Sequence, residues 1–173
     1  MNFKFEEALE RLQRTPFSLE QLLSDISEEW IQCHEGEGTW TVKEVIDHLI
    51  ECEKTNWIPR VNSILDGNEV TPLPPFDRFA HLQQDKPVSF KESISTFKTY
   101  REKNVLLLKE LVDPQLHLNM KGIHPAFGEI TLKQLLSTWV VHDFTHISQI
   151  LRVMAKRYSE DVGPWNEYLS ILK

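Results

Sequence analysis

Cysteine is scarce in this chain: Cys33 and Cys52 are the only two among 173 residues. They are not in CxxC spacing, so no disulfide framework can form, and a reducing cytoplasm is the expected location. Basic clusters are missing as well. The net charge is −7 and the pI is near 5.5, whereas a phosphate-tracking protein needs a basic face. Nucleic acid and anionic membrane surfaces are therefore not expected partners. No apolar run approaches the length of a bilayer span. The opening MNFKFEEALERLQR has early acidic residues and no apolar stretch of the secretory kind. Alternating strand-like runs are nearly absent, and there is no internal repeat. Glycine-rich phosphate loops, a GxSxG elbow and the paired ExxH motifs of a di-iron bundle are missing too.

What the chain does have is helical periodicity. Hydrophobic residues make up 40% and charged residues 26%, enough for one soluble domain, 1–173, with a buried core. Phe3 to Ile26 reads as helical but holds Pro16, which suggests two halves with Thr15 as a cap. Gln32 to Thr39 reads as a loop. Thr41 with Glu44 makes a capping box opening a helix to Leu65, stopped by Asp66-Gly67-Asn68. Trp40 is placed to staple onto Val45. Four prolines make residues 70–87 a long irregular connection. Ser89 with Glu92 caps a helix to about Leu111, and Asp113-Pro114 ends it. Gly122 to Glu129 is turn-rich, and Thr131 with Gln134 caps the last long helix. Gly163-Pro164 and a short amphipathic tail follow. Four substantial helices with long crossover connections predict an all-α four-helix bundle.

The chemistry concentrates on histidine. His142 and His146 are four residues apart on the last helix, so their side chains stack on one face, in line with Leu135, Trp139, Ile150 and Val153. His48 lies on the second helix, on a face shared with Val45 and Cys52. Two imidazoles one turn apart and a third from a facing helix can grip a divalent cation and leave a position open. Imidazole alone does not choose among Zn, Ni, Fe and Cu. Buried histidines that only pack and hydrogen-bond would give the same pattern. Cys52, one turn after His48, reads as an apolar filler or a fourth ligand. His34, His81, His117 and His124 fall in loops or near helix ends, where exposure is expected. Glu51 and Glu53 lie within a turn of His48, as proton carriers or simply on a solvated face. Asp143 makes the motif HDxxH; its shorter carboxylate and the lack of a further ligand motif argue against a metalloprotease.

Together, GTWTVKEVIDHL, HPAFGEITLKQLL and WVVHDFTHISQI resemble the DinB/YfiT-like superfamily of metal-binding four-helix bundles, from the first helix to about Met154. The resemblance implies that His48, His142 and His146 hold Zn or Ni with water completing the shell, and that the protein is a homodimer. Members of that superfamily include S-transferases using bacillithiol or mycothiol, an isomerase of the latter type, and proposed metal-dependent hydrolases. Three readings follow. In the first, the metal activates a low-molecular-weight thiol such as bacillithiol for attack on a small electrophile. Trp57, Trp139 and Phe144 would wall the pocket, and Arg60, Lys86 and Arg152 would be candidates for a basic rim. In the second, the protein hydrolyses a small amide or ester, with Asp143 or Glu51 carrying protons. In the third, it is a non-catalytic metal-binding stress protein with a closed site and Cys52 as fourth ligand.

Overall fold

A computed structural model describes residues 3–67, 71–83 and 88–173. The expected positions Asn68, Val70, Lys86 and Pro87 lie outside the described residues. The elements are α1 (Phe5–Leu23), a short α2 (Glu28–Ile31), α3 (Val42–Thr55), α4 (Trp57–Leu65), α5 (Phe90–Leu111), a hairpin of β1 (Lys121–His124) and β2 (Gly128–Thr131), and α6 (Leu132–Lys156). Single 3-10 turns occupy Ala80–Gln83, Gly163–Glu167 and Ser170–Leu172. The α1, α3–α4, α5 and α6 segments form the four-helix bundle, so the expected fold class holds. No helix among the described residues is long and apolar enough to cross a membrane.

All three capping boxes form as the sequence predicts: Thr41 with Glu44, Ser89 with Glu92 and Thr131 with Gln134. Each satisfies two amides that a helix start otherwise leaves without partners. The helix expected from Thr41 to Leu65 is broken at Asn56, between α3 and α4. Pro59 explains the break: it has no N–H to offer the carbonyl of Thr55, and its ring crowds that turn. Trp40 packs against the apolar cluster containing Val45 and also covers His48.

Pro16 behaves in the opposite way. α1 runs unbroken through it, and Thr15 is not a cap; its hydroxyl donates to Arg11 O inside the helix. A prolyl residue leaves the carbonyl four residues back unpaired. Here that carbonyl is Leu12 O, and Arg101 Nη1 of α5 donates to it at 3.1 Å.

Arg101 is buried at mid-height in the bundle. Its guanidinium also holds Asp143 of α6 through two hydrogen bonds, at 2.5 and 2.8 Å, and Glu53 of α3 at 2.9 Å. Asn104 and the indole of Trp139 donate to Glu53 as well. Burial alone would lower the Arg101 pKa, but the two carboxylates hold it above the ordinary value. This polar layer separates two apolar halves. One gathers Leu9, Leu12, Trp57, Val61, Val105 and Leu136; the other gathers Leu19, Val45, Leu49, Phe97, Ile150 and Val153.

The hairpin leans on α4 through Gly122. A Cβ there would meet Ile64 Cγ1 at 2.8 Å and Leu73 Cδ2 at 3.0 Å, so only glycine allows the approach. Leu73 N donates to Ile123 O at 2.7 Å, tying the connection after α4 to the same strand.

Removing one partner of a buried ionic network leaves the others charged and unpaired. Arg101→Met is therefore expected to cost about 3–5 kcal/mol of unfolding free energy, measured from urea midpoints at unchanged slope. A loss below ~1 kcal/mol would mean that the layer does not hold the bundle together.

Candidate metal centre

The face of α3 that carries Val45 and Cys52 turns His48 towards α6. On α6, the one-turn spacing turns His142 and His146 towards α3. Their Nε2 atoms converge, His146 to His142 at 3.1 Å and His48 to His142 at 3.4 Å. Ligand atoms of all three lie within 4.8 Å of one another. A tetrahedral ion bound at ~2.0–2.1 Å sets its ligand nitrogens about 3.3–3.4 Å apart, so the donor set fits one divalent cation.

The tautomer of His146 favours the same arrangement. His146 Nδ1 is 2.8 Å from Gln149 Oε1, to which it donates, which leaves the Nε2 lone pair pointing inward. Burial first, then the neighbouring imidazoles, pushes His48 and His142 down to about 3. Burial also lowers His146. All three are neutral at neutral pH, the form that ligates. Cys52, fully buried in the apolar core, places Sγ 3.4 Å from His48 Nε2 and 3.9 Å from His142 Nε2. Burial pushes its thiol pKa well up, with Glu53 adding to the effect.

The triad opens onto a cavity of about 650 Å³. Trp40, Trp57 and Phe76 supply its apolar wall, and Arg60 and His124 a polar corner. Trp40 lies 4.8 Å from the His48 ring, and Trp57 meets His142 edge-on at 5.2 Å.

Several expected residues fall elsewhere. Trp139 is fully buried behind Trp57, stacked on it at 5.3 Å, and does not reach the cavity. Phe144 is half-exposed and lines a shallow groove with Phe3, Ala8 and Val140. Asp143 follows His142 by one residue, a rotation of about 100° on a helix, and that rotation points it at Arg101. Glu53 is buried in the same network and is not a solvated residue. Glu51 does not line the cavity either, and no Asp or Glu among the described residues does. Arg152 is paired with Glu35 away from the site, and Lys86 lies outside the described residues.

The sequence also hid some contributors. Gln149, three residues after His146, was findable from i,i+3 spacing. His81 is buried against Trp40 and His48, and His124 lines the cavity. Both sit in irregular or hairpin segments without a periodic signal.

A helical bundle with an open three-imidazole site belongs among the proteins able to hold a catalytic divalent metal. The DinB superfamily profile matches residues 11–150, and this chain belongs to that superfamily. The solved structure of Bacillus subtilis YfiT, described as a candidate metal-dependent hydrolase with an unusual four-helix bundle topology, matches at a TM-score of 0.75. The identity is 23%, with 90% of each chain covered. By sequence, the candidate metal-dependent hydrolase YfiT is 25% identical over 142 residues, 80% of this chain and 78% of its own. A candidate metal-dependent hydrolase from Oceanobacillus iheyensis, OB0782, is 23% identical over 158 residues, 90% and 89% of the two chains.

The buried imidazoles make the metal-free protein acid-sensitive. Unfolding lets His48 and His142 take up protons near 6.5, while the folded state refuses them until about 3. The unfolded chain therefore binds more protons in that window, and stability falls as the pH drops through it but not above it. Urea midpoints of metal-free wild type should fall more steeply below pH 6.5 than those of a His48→Phe, His142→Phe double variant. Parallel pH profiles would contradict the assignment.

Proposed function

We propose that the protein is a metal-dependent hydrolase of a small amide or ester, with Zn or Ni held by His48, His142 and His146. The observation that carries this reading is the open cavity over the triad. A purely structural site would be closed by a fourth ligand and dry, whereas this one has room for a small molecule. Similarity to candidate metal-dependent hydrolases supports the same choice. A divalent ion in such a site supplies Lewis acidity, polarising a carbonyl and making water or a thiol more acidic.

The chain's own residues then have distinct tasks. Gln149 fixes the ring of His146. Trp40, Trp57 and Phe76 hold the apolar part of the substrate and exclude bulk water from the triad. Asn56, Gln134 and Thr138 line the same wall and offer hydrogen bonds to orient a carbonyl or a leaving group. Asp143 and Glu51 have no part in this scheme, because neither reaches the cavity.

Thiol S-transfer remains the second reading, supported by one observation. Among the described residues the wall carries Arg60 and Arg78 and no acid, as an anionic thiol would require. A single assay series separates the two. Protein reconstituted with Zn or Ni is tested against aryl esters and anilides, and separately for conjugation of bacillithiol to an electrophile. Hydrolysis that disappears with chelator and in His146→Ala is the expected result. Conjugation without hydrolysis would reject the proposal in favour of transfer.

A further inference from the structure

We propose that Arg60 and His124 form an oxyanion pocket in the cavity that receives the carboxylate of a small, carboxylate-bearing substrate. This narrows the hydrolase reading above and rests on it for the reaction, though not for the binding.

Among the described residues no Asp or Glu lines the cavity, while Arg60, Arg78 and His124 do. A wall of one sign enclosed by apolar side chains concentrates ligands of the opposite sign. Arg60 is only 8% exposed. Its Nε donates to Pro74 O at 3.1 Å, and no carboxylate pairs with it among the described residues. A buried guanidinium without a counter-ion is costly unless something supplies one.

His124 adds a second donor. Its Nδ1 accepts the backbone N–H of Ala126 at 3.1 Å, so the neutral ring carries its proton on Nε2. That Nε2 lies 3.4 Å from Arg60 Nη1. Both atoms are therefore donors, side by side with no shared acceptor among the described residues. Phe127 stacks on the His124 ring at 4.5 Å and 14°, fixing its plane. The close approach at Gly122 seats the hairpin on α4, the helix that carries Arg60.

An oxyanion placed at this corner accepts from both groups. A planar carboxylate also matches the flat fork of a guanidinium. With the triad on the same cavity and Trp40, Trp57 and Phe76 on its wall, the substrate has three parts. They are a carboxylate at the Arg60 corner, an apolar body, and an amide or ester carbonyl at the triad.

The test uses chelator-treated, metal-free protein and reads binding alone, so a failure of the reconstituted protein to hydrolyse esters or anilides would reject the hydrolase reading without touching this result. Benzoate, benzyl alcohol and phenyl phosphate are titrated while following tryptophan fluorescence and the imidazole ¹⁵N resonances of His124. Benzoate should bind and shift His124, with benzyl alcohol at least about tenfold weaker, the usual scale of a charge-assisted hydrogen bond. Arg60→Gln should reduce benzoate to the level of benzyl alcohol. His124→Phe keeps the stack on Phe127, lies on the partly exposed hairpin, and should weaken benzoate by a similar factor. It carries the test if Arg60→Gln does not fold. Absent benzoate binding, equal binding of benzoate and benzyl alcohol, or an unchanged affinity in His124→Phe would overturn the proposal. Tighter binding of phenyl phosphate would overturn the choice of a carboxylate.

Discussion

One guanidinium fixes how the four helices of this bundle face each other. Arg101 of α5 reaches the Pro16-freed carbonyl of Leu12 on α1, the carboxylate of Glu53 on α3 and that of Asp143 on α6. The apolar core on either side could tolerate small rotations of a helix about its own axis. A buried, bidentate ion pair cannot, because its hydrogen bonds demand both distance and direction. Asp143 adjoins His142, and Glu53 is five residues from His48. Pinning the two carboxylates inward therefore turns the three imidazoles, one helical face away, onto a common point. The structural layer and the chemical site are two faces of the same pair of helices.

That division of labour also explains the composition of the cavity. Two carboxylates close to the triad in sequence, Glu53 and Asp143, are consumed by Arg101, and Asp47 is taken by Lys43 and Ser93; among the described residues the wall is left with imidazoles, aromatics and cations. The depressed pKa values of His48 and His142 follow from burial among such groups. Three neutral imidazoles converging on one point suit a cation, and a wall without an acid among the described residues suits an anionic ligand.

Much of this was legible in the sequence where the cause is local. The capping boxes at Thr41, Ser89 and Thr131 lie within four residues of their partners, and the His142–His146 pair needs only helical spacing. The bundle itself follows from periodicity. Pro16 was misleading because the donor that rescues its helix lies 89 residues away. Glu53 and Asp143 read as solvated or catalytic for the same reason: nothing near them announces a buried arginine on another helix. His81 and His124 sit in segments without periodicity, so the burial of His81 and the place of His124 on the cavity wall depend on tertiary packing alone. Pro59 is different: its break at Asn56 was available from the chain and follows from the missing N–H.

Metal content by mass spectrometry, on untagged protein purified without chelator and beside His48→Ala, decides whether His48, His142 and His146 hold one divalent ion between α3 and α6. Near one Zn or Ni per chain is expected in the wild type and its loss in the variant, with the helical circular dichroism unchanged. An undiminished metal complement in His48→Ala, or no metal in the wild type even after reconstitution, would mean that the three imidazoles are not a metal site.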